Sequence, residues 1–229
     1  RVTDLVSAEQ VRARHDRLLR RLREVADAHG HDPGRLRIVG VTKEHPLEVV
    51  AAAVDAGLTR LGESRVQEAE PKSAAFPAIE WHFIGRLQSN KARRAVRSFP
   101  VIHSIDSPEL LQRVDRIADE EGRRPQVLLE VNVSGEATKA GLRPEDLDEI
   151  SAPAVAELVG LMTIARFGAS EEEARAVFAR LRALRDRLQQ RLGRELPELS
   201  MGMSADAEAA AAEGATYVRI GTALFGPRH

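Results

Sequence analysis

The chain has 229 residues with 34 basic and 35 acidic side chains, a formal net charge of −1 and no cysteine. This balance predicts no nucleic-acid partner and no membrane partner, and without cysteine there are no disulfides, thiolate metal sites or cysteine nucleophile. No apolar run approaches the roughly 18 residues that a membrane span needs. We therefore expect a single domain over residues 1–229, a cytoplasmic location, and a large core drawn from the 43% of residues that are hydrophobic.

The chain opens with the pattern of an amphipathic helix. Ser7 and Gln10 have the spacing of a capping box. Apolar residues three and four apart predict a helix from Ser7 to His29. Its many arginines are not interleaved with aromatic residues, so we interpret them as a solvated helix face.

Eight short apolar runs follow, typical of strands covered on both faces. They are Arg37–Thr42, Arg60–Gly62, Trp81–Gly85, Val101–Ile105, Val127–Val133, Val159–Ile164, Glu198–Met201 and Tyr217–Ile220. Helical patterns lie between several of them, at Pro46–Ala56, Ser107–Glu120, Ser170–Leu192 and Asp206–Ala212.

The spacing of these runs predicts an α/β fold, a (β/α)₈ barrel of the TIM type with an additional N-terminal helix and no second β-domain. Successive strands lie roughly 26 residues apart, which suffices for one strand, one helix and two short loops. An open doubly wound sheet is the rival architecture. The dinucleotide-binding G-x-G-x-x-G pattern is missing after the first predicted strand, which disfavours that rival.

In such a barrel the functional groups gather at the carboxyl ends of the strands. After the eighth strand, Gly221 and Thr222 offer backbone N–H groups that a phosphate can approach closely. Ser204 precedes the alanine-rich helix after the seventh strand and can serve the same anion. On residue types alone, a tight turn at Gly221 and a plain helix start at Ser204 explain these residues equally well.

Lys43 follows the first predicted strand, and a closed barrel places that strand beside the eighth. The lysine would then lie within a small molecule's length of the Gly221–Thr222 turn. A partly desolvated lysine forms a Schiff base with an aldehyde. A ligand with both a phosphate and an aldehyde is indicated, and pyridoxal 5′-phosphate is the leading candidate. Taken alone, Lys43 is better explained as a solvent-exposed lysine at a strand end.

Arg219 shares a strand face with Tyr217 by period-two alternation. If that face is the barrel interior, Arg219 can meet the ring nitrogen of such a cofactor and keep it unprotonated. The competing interpretation pairs Arg219 with a buried carboxylate, Glu63 or Glu130. His82, on the third predicted strand, is interpreted as a hydrogen-bonded core histidine rather than a general base.

The ordered set of short motifs resembles the pyridoxal phosphate homeostasis protein family, cofactor-binding proteins with an alanine racemase N-terminal-like barrel. The motifs span nearly the whole chain; they are Val41–Lys43, Leu61–Glu68, Trp81–Gly85, Leu87–Lys91, Ser104–Ser107, Gly160–Met162, Leu199–Ser204 and Val218–Gly226. The chain departs from the family at Ser64, where the family usually has an asparagine. We expect the shorter hydroxyl to lose one pocket hydrogen bond and so to change the affinity for the cofactor. The loop around Lys139 also fits the family pattern.

The resemblance implies the roles of the site residues. Lys43 would carry pyridoxal 5′-phosphate as a Schiff base and Arg219 would face the pyridine nitrogen. The phosphate would be held by Ser204, Gly221 and Thr222, with help from Ser200. No catalytic residue and no metal ligand is implied.

The resemblance further implies a carrier or buffer in vitamin B6 homeostasis, without an established catalytic turnover. Apo-enzymes or free amino acids would accept the cofactor from a monomeric protein. Two alternatives stay open. One is a weak amino-acid racemase or decarboxylase of the same fold. The other is a Schiff-base aldolase that acts on a phosphorylated sugar.

Overall fold

Eight parallel strands close into a barrel in this computed structural model, which describes residues 5–136 and 140–227. The strands are β1 (Arg37–Val41), β2 (Arg60–Glu63), β3 (Glu80–Phe83), β4 (Val101–Ile105), β5 (Gln126–Glu130), β6 (Glu157–Met162), β7 (Glu198–Ser200) and β8 (Tyr217–Ile220). They follow one another around the barrel in chain order, and β8 pairs with β1. The predicted barrel and its eight strands are confirmed, and the open sheet is excluded.

Helices cover the outside of the barrel. They are α1 (Ala8–Ala28), α2 (Leu47–Asp55), α3 (Val66–Ala75), α4 (Ala92–Ser98), α5 (Pro108–Glu120), α6 (Glu171–Leu192), α7 (Ala207–Ala212) and α8 (Thr222–Phe225). Between β5 and β6 the described residues contain only a 3₁₀ helix, Pro144–Glu149. None of the helices in the described part of the chain is long and apolar enough to cross a bilayer.

The helix caps predicted for α1 and α6 are present in the structure. Ser7 and Gln10 make the capping box of α1, and Ser170 and Glu173 make that of α6. Gly193 ends α6 in the left-handed conformation with φ 62°. These local signals fix the two longest helices within a residue of the predicted bounds.

The first helix closes the outer layer over the seam between β1 and β8. It packs against α2, α7 and α8. Arg12 donates to the carbonyl of Asp55 (2.7 Å) at the end of α2, and Arg14 donates to that of Leu224 (2.9 Å) in α8. Arg12 is exposed and Arg14 half-buried, so the interpretation as a solvated face holds, and these two arginines also satisfy helix-end carbonyls.

The interior of the barrel is polar. On β8, Val218 and Ile220 face the outer core between sheet and helices, while Tyr217 and Arg219 face inward among side chains of β3, β4 and β7. A small apolar group fills the rest of the interior; its members are Val101, Leu128, Val159 and Met162. Tyr217 and Arg219 thus share one strand face, as predicted, and that face is the barrel interior.

Gly160 marks the tightest approach between neighbouring strands. The register between β5 and β6 shifts just before it, at Val127/Leu128. A Cβ at Gly160 would lie 1.8 Å from the carbonyl oxygen of Glu198 on β7. No side chain fits unless β6 and β7 move apart, so closure of the barrel requires glycine here.

We predict that Gly160→Ala destabilises the protein by about 3 kcal/mol or more, at the upper end of overpacking costs, because rigid backbone blocks the new methyl group. Gly34→Ala is the control, since its Cβ would meet only the flexible Asp32 side chain at 3.2 Å. Urea unfolding measures both. A Gly160→Ala variant as stable as Gly34→Ala would contradict the close approach.

Candidate functional site

The Lys43 turn projects from the carboxyl end of β1. The N–H of His45 donates to the carbonyl of Thr42 (3.1 Å), which closes a four-residue turn with half-buried Lys43 at its second position. At the third position Glu44 has φ 63°, a positive φ that no other non-glycine residue adopts among the described residues. Positive φ at that position is typical of a type II turn, where glycine is usual, so the backbone after Lys43 is strained.

A buried ion cluster holds this strained turn in place. The Lys72 ammonium, on α3, donates to the Thr42 carbonyl (2.8 Å), to Glu63 on β2 (2.8 Å) and to Glu68 (2.9 Å). Glu63 is fully buried and also accepts the Thr42 hydroxyl (2.6 Å). Glu68 in turn accepts the N–H of Glu44. The cluster thus holds the turn through the Thr42 hydroxyl and through the backbone of Thr42 and Glu44. These bonds compensate for the strain at Glu44.

The turn after β8 lies directly beside the end of β1. Gly40 is in register with Ile220, and a Cβ on Gly221 would lie 3.4 Å from the carbonyl oxygen of Val41. Gly221 precedes the short helix α8 without a side-chain cap, and Thr222 begins that helix. First-turn N–H groups have no acceptor within a helix, so the N–H groups here are available to a ligand.

Ser204 lies in an exposed turn after β7, three residues before α7 begins at Ala207. Asp206 holds this loop, because its carboxylate accepts the N–H of Met203 (2.6 Å). Gly202 has φ 92°, and a Cβ there would lie 2.5 Å from that of Ala210. The loop therefore has one tightly packed conformation, with the Ser204 hydroxyl at its surface.

Arg219 lies under the mouth of the barrel and is buried. It donates to the Ser200 hydroxyl (2.6 Å) and to the Thr163 carbonyl (3.0 Å). Neither Glu63 nor Glu130 pairs with it, so the predicted alternative of a direct carboxylate partner is wrong. Burial lowers the pKa of Arg219 to about 10, with Asp206 and Glu130 opposing the shift, so the group stays a cation at neutral pH.

Ser200 is fully buried beneath Arg219 rather than at the mouth. Besides accepting from Arg219, its hydroxyl lies 2.8 Å from Nδ1 of His103. His82 is also fully buried, and its Nδ1 lies 2.7 Å from Nε2 of His103. The interpretation of His82 as a hydrogen-bonded core histidine is confirmed.

Three further charged residues approach the mouth; sequence reasoning selected neither Asp106 nor Arg86, and it considered Glu130 only as a partner of Arg219. Burial raises the pKa of Asp106, after β4, against the opposing charge of Arg86, after β3. Burial also raises the pKa of Glu130, at the end of β5, and Asp106 adds to this shift. Each of the three lies at or just after the end of a strand, and that position was the sequence signal that could have identified it.

The family pattern also singled out Ser64 and Lys139. A Cβ on Gly85 would lie 2.1 Å from the carbonyl oxygen of Ser64, so the backbone of the β2 loop packs directly on the β3 loop. Lys139 lies outside the described residues. Among the described residues no group of histidines and carboxylates has the arrangement of a metal site.

The protein is a (β/α)₈ barrel with three kinds of polar group near one mouth. They are the Lys43 amine after β1, the buried Arg219 guanidinium on β8, and first-turn backbone N–H groups of α8 that have no partner among the described residues. The chain belongs to the alanine racemase N-terminal domain family, whose family model matches residues 14–229.

Two named relatives match more than nine-tenths of the chain. The chain is 42% identical over 222 residues to the pyridoxal phosphate homeostasis protein of Aquifex aeolicus, covering 94% of this chain and 97% of the relative. It is 45% identical over 225 residues to the protein of that name from Pseudomonas aeruginosa, covering 91% of each.

Solved structures with a similar fold also match the chain. PipY of Synechococcus elongatus with PLP bound is 42% identical, with a TM-score of 0.79 over 90% of this chain and 100% of that one. Alanine racemase of Clostridium difficile, at 17% identity and a TM-score of 0.71, covers 90% of this chain and 56% of its own, and shares the fold alone.

We predict that Lys72→Met destabilises the protein by about 3–5 kcal/mol, because it leaves Glu63 buried without its cation. Adding Glu63→Gln to Lys72→Met is expected to restore part of the loss. Arg21→Met is the control, since Arg21 and Glu208 form an exposed pair and little change is expected. Urea unfolding measures all three. Equal stability of Lys72→Met and Arg21→Met would refute the structural role of the cluster.

We also predict that His82 and His103 make stability depend on pH. Burial lowers the pKa of each below the usual 6.5, so the unfolded chain binds more protons below about pH 6.5. Stability should fall as pH drops below 6.5, by up to about 1.4 kcal/mol per pH unit for each histidine, with no contribution above that pH. Urea unfolding at pH 7.5 and 5.5 measures this. A His103→Asn variant with an undiminished pH dependence would contradict the prediction.

Proposed function

We propose that the protein holds pyridoxal 5′-phosphate reversibly on Lys43 and acts as a carrier or buffer in vitamin B6 homeostasis. The observation that carries the proposal is the pairing of β1 with β8, which sets the Lys43 turn beside the Gly221–Thr222 turn. The names of the Aquifex and Pseudomonas relatives and the PLP-bound PipY structure support the same ligand.

The residues at the mouth fit each part of this cofactor. The free N–H groups at the start of α8 and the Ser204 loop suit its phosphate. Arg219 is a buried cation whose two hydrogen-bond partners are neutral, which leaves it suited to a neutral acceptor such as a ring nitrogen. When bound, the cofactor supplies an aldehyde that condenses with a lysine amine and releases one water molecule. Ser200 would act through Arg219 in this arrangement.

The arrangement favours storage over racemisation. A guanidinium that faces the ring nitrogen keeps that nitrogen unprotonated and weakens the ring as an electron sink. Racemisation also needs an acid or base on each face of the substrate. Tyr217, the one tyrosine of the chain, is buried inside the barrel under the Arg37 guanidinium (4.2 Å), and burial raises its pKa to about 12. It is therefore not available to a substrate at the mouth.

The expected acceptors, apo-enzymes or free amino acids, belong to the same proposal, as do the monomeric state and the cytoplasmic location. An acceptor must reach the aldehyde carbon on Lys43, and only the carboxyl end of the barrel gives access to that turn.

The test is reduction of the protein–cofactor adduct. The chain has only four lysines, Lys43, Lys72, Lys91 and Lys139, so the modified site can be mapped without ambiguity. After reconstitution with pyridoxal 5′-phosphate and borohydride treatment, we expect the label on the Lys43 peptide. Lys43→Ala should lose the label and the visible absorbance, while the control Lys91→Ala keeps both. A wild-type protein that cannot be labelled, or a Lys43→Ala variant labelled as strongly, would overturn the proposal.

A further inference from the structure

Five polar side chains that cross the barrel form one continuous hydrogen-bonded chain that begins at Arg219. Arg219 Nη1 lies 2.6 Å from Ser200 Oγ, and Ser200 Oγ lies 2.8 Å from His103 Nδ1. His103 Nε2 lies 2.7 Å from His82 Nδ1, and His82 Nε2 lies 2.9 Å from Glu80 Oε1. Arg219 lies toward the carboxyl end of β8 and Glu80 begins β3, so the chain crosses the interior from one mouth toward the other.

The direction of every bond follows from the two ends. Glu80 is a carboxylate that also accepts from Arg60 (3.0 Å), so His82 Nε2 must carry the hydrogen. At the other end a guanidinium only donates, so the Ser200 oxygen accepts from Arg219. The Ser200 hydroxyl hydrogen then needs an acceptor, and His103 Nδ1 is the one in reach.

Both histidines are therefore neutral and carry their hydrogen on Nε2. If His82 were protonated on both nitrogens, it would donate to His103 Nε2, and His103 would have to turn its own hydrogen toward Ser200. The Ser200 hydroxyl hydrogen would then lose its acceptor in a fully buried site, which is costly. Burial lowers the pKa of both histidines, in agreement with the neutral arrangement.

The hydrogen-bonded chain has its main effect on the orientation of Arg219. Its hydrogen-bond partners in the described structure are Ser200 Oγ and the Thr163 carbonyl, both neutral. A hydroxyl that donates becomes a stronger acceptor, and bonds aligned in one direction reinforce each other. His103 thus sets the orientation of the Ser200 hydroxyl, and Ser200 fixes one arm of the guanidinium.

We propose that His103 and His82 are positioning residues that orient Arg219 toward the cofactor through this one-directional chain. The proposal rests on the proposed function in one respect, that Arg219 faces the cofactor ring. The bond directions and the two tautomers do not depend on that function. The two histidines would act through Ser200 and Arg219 without contacting the cofactor.

The first test needs no cofactor. Nitrogen-15 NMR of the histidine rings in the cofactor-free protein, assigned by through-bond correlations, distinguishes the two tautomers. We expect both rings to carry hydrogen on Nε2 and to remain neutral at pH 7. A hydrogen on Nδ1 of either ring, or a doubly protonated ring, would overturn the proposal whatever the protein binds.

The second test compares two variants of His103. An asparagine oxygen occupies nearly the place of Nδ1 and can still accept from Ser200, whereas phenylalanine cannot. We expect His103→Phe to weaken pyridoxal 5′-phosphate binding about tenfold or more, and to shift the pH midpoint of the visible spectrum of the bound cofactor. His103→Asn should bind within about threefold of wild type, since it keeps this acceptor.

Thermal unfolding establishes that both variants are folded. If His103→Phe does not fold, Ser200→Ala replaces it, with the same expected loss of affinity and spectral shift. Equal affinity and equal spectral midpoints in wild type and the folded variant that breaks the chain would refute the positioning role. A wild-type protein that fails to bind the cofactor would instead refute the proposed function, while the NMR result would still decide the bond directions.

Discussion

The pairing of β8 with β1 is the contact on which the site depends. It brings together a lysine at position 43 and a glycine at position 221, which the chain separates by almost the whole length of the barrel. The parallel register sets Gly40 opposite Ile220, so the two strands end together at the same mouth. Without closure, the amine and the N–H groups of the last turn belong to two unrelated surface loops. With closure they lie at the same mouth, as the proposed site requires.

The second constraint is the polar filling of the barrel. Many barrels of this class fill the interior with layers of branched apolar side chains. Here Arg37, Glu198, Tyr217 and the two histidines occupy much of that space, and Val101, Leu128, Val159 and Met162 supply the apolar remainder. Buried polar groups cost free energy unless each is bonded, so such an interior imposes one arrangement on its members. The bonded arrangement of these polar side chains extends to Arg219, directly below the mouth.

Local sequence signals predicted much of this fold, and their failures have physical reasons. Capping boxes and apolar stripes fixed α1 and α6, and short apolar runs fixed the strands. Three helices were missed: α3 contains Pro71 and has little amphipathic character, and α4 and α8 are short. Lys43, Arg219 and Gly221 were selected because strand ends mark the mouth, and the structure places all three at that end of the barrel. Lys72 and His103 were not, since their burial depends on partners from other strands.

The most direct test of the central claim is a crystal structure of the protein grown with pyridoxal 5′-phosphate. We predict electron density continuous with the Lys43 side chain, a phosphate at the N–H groups of Gly221 and Thr222, and a ring nitrogen facing Arg219. A cofactor attached to another lysine, or a phosphate held away from the end of β8, would contradict it.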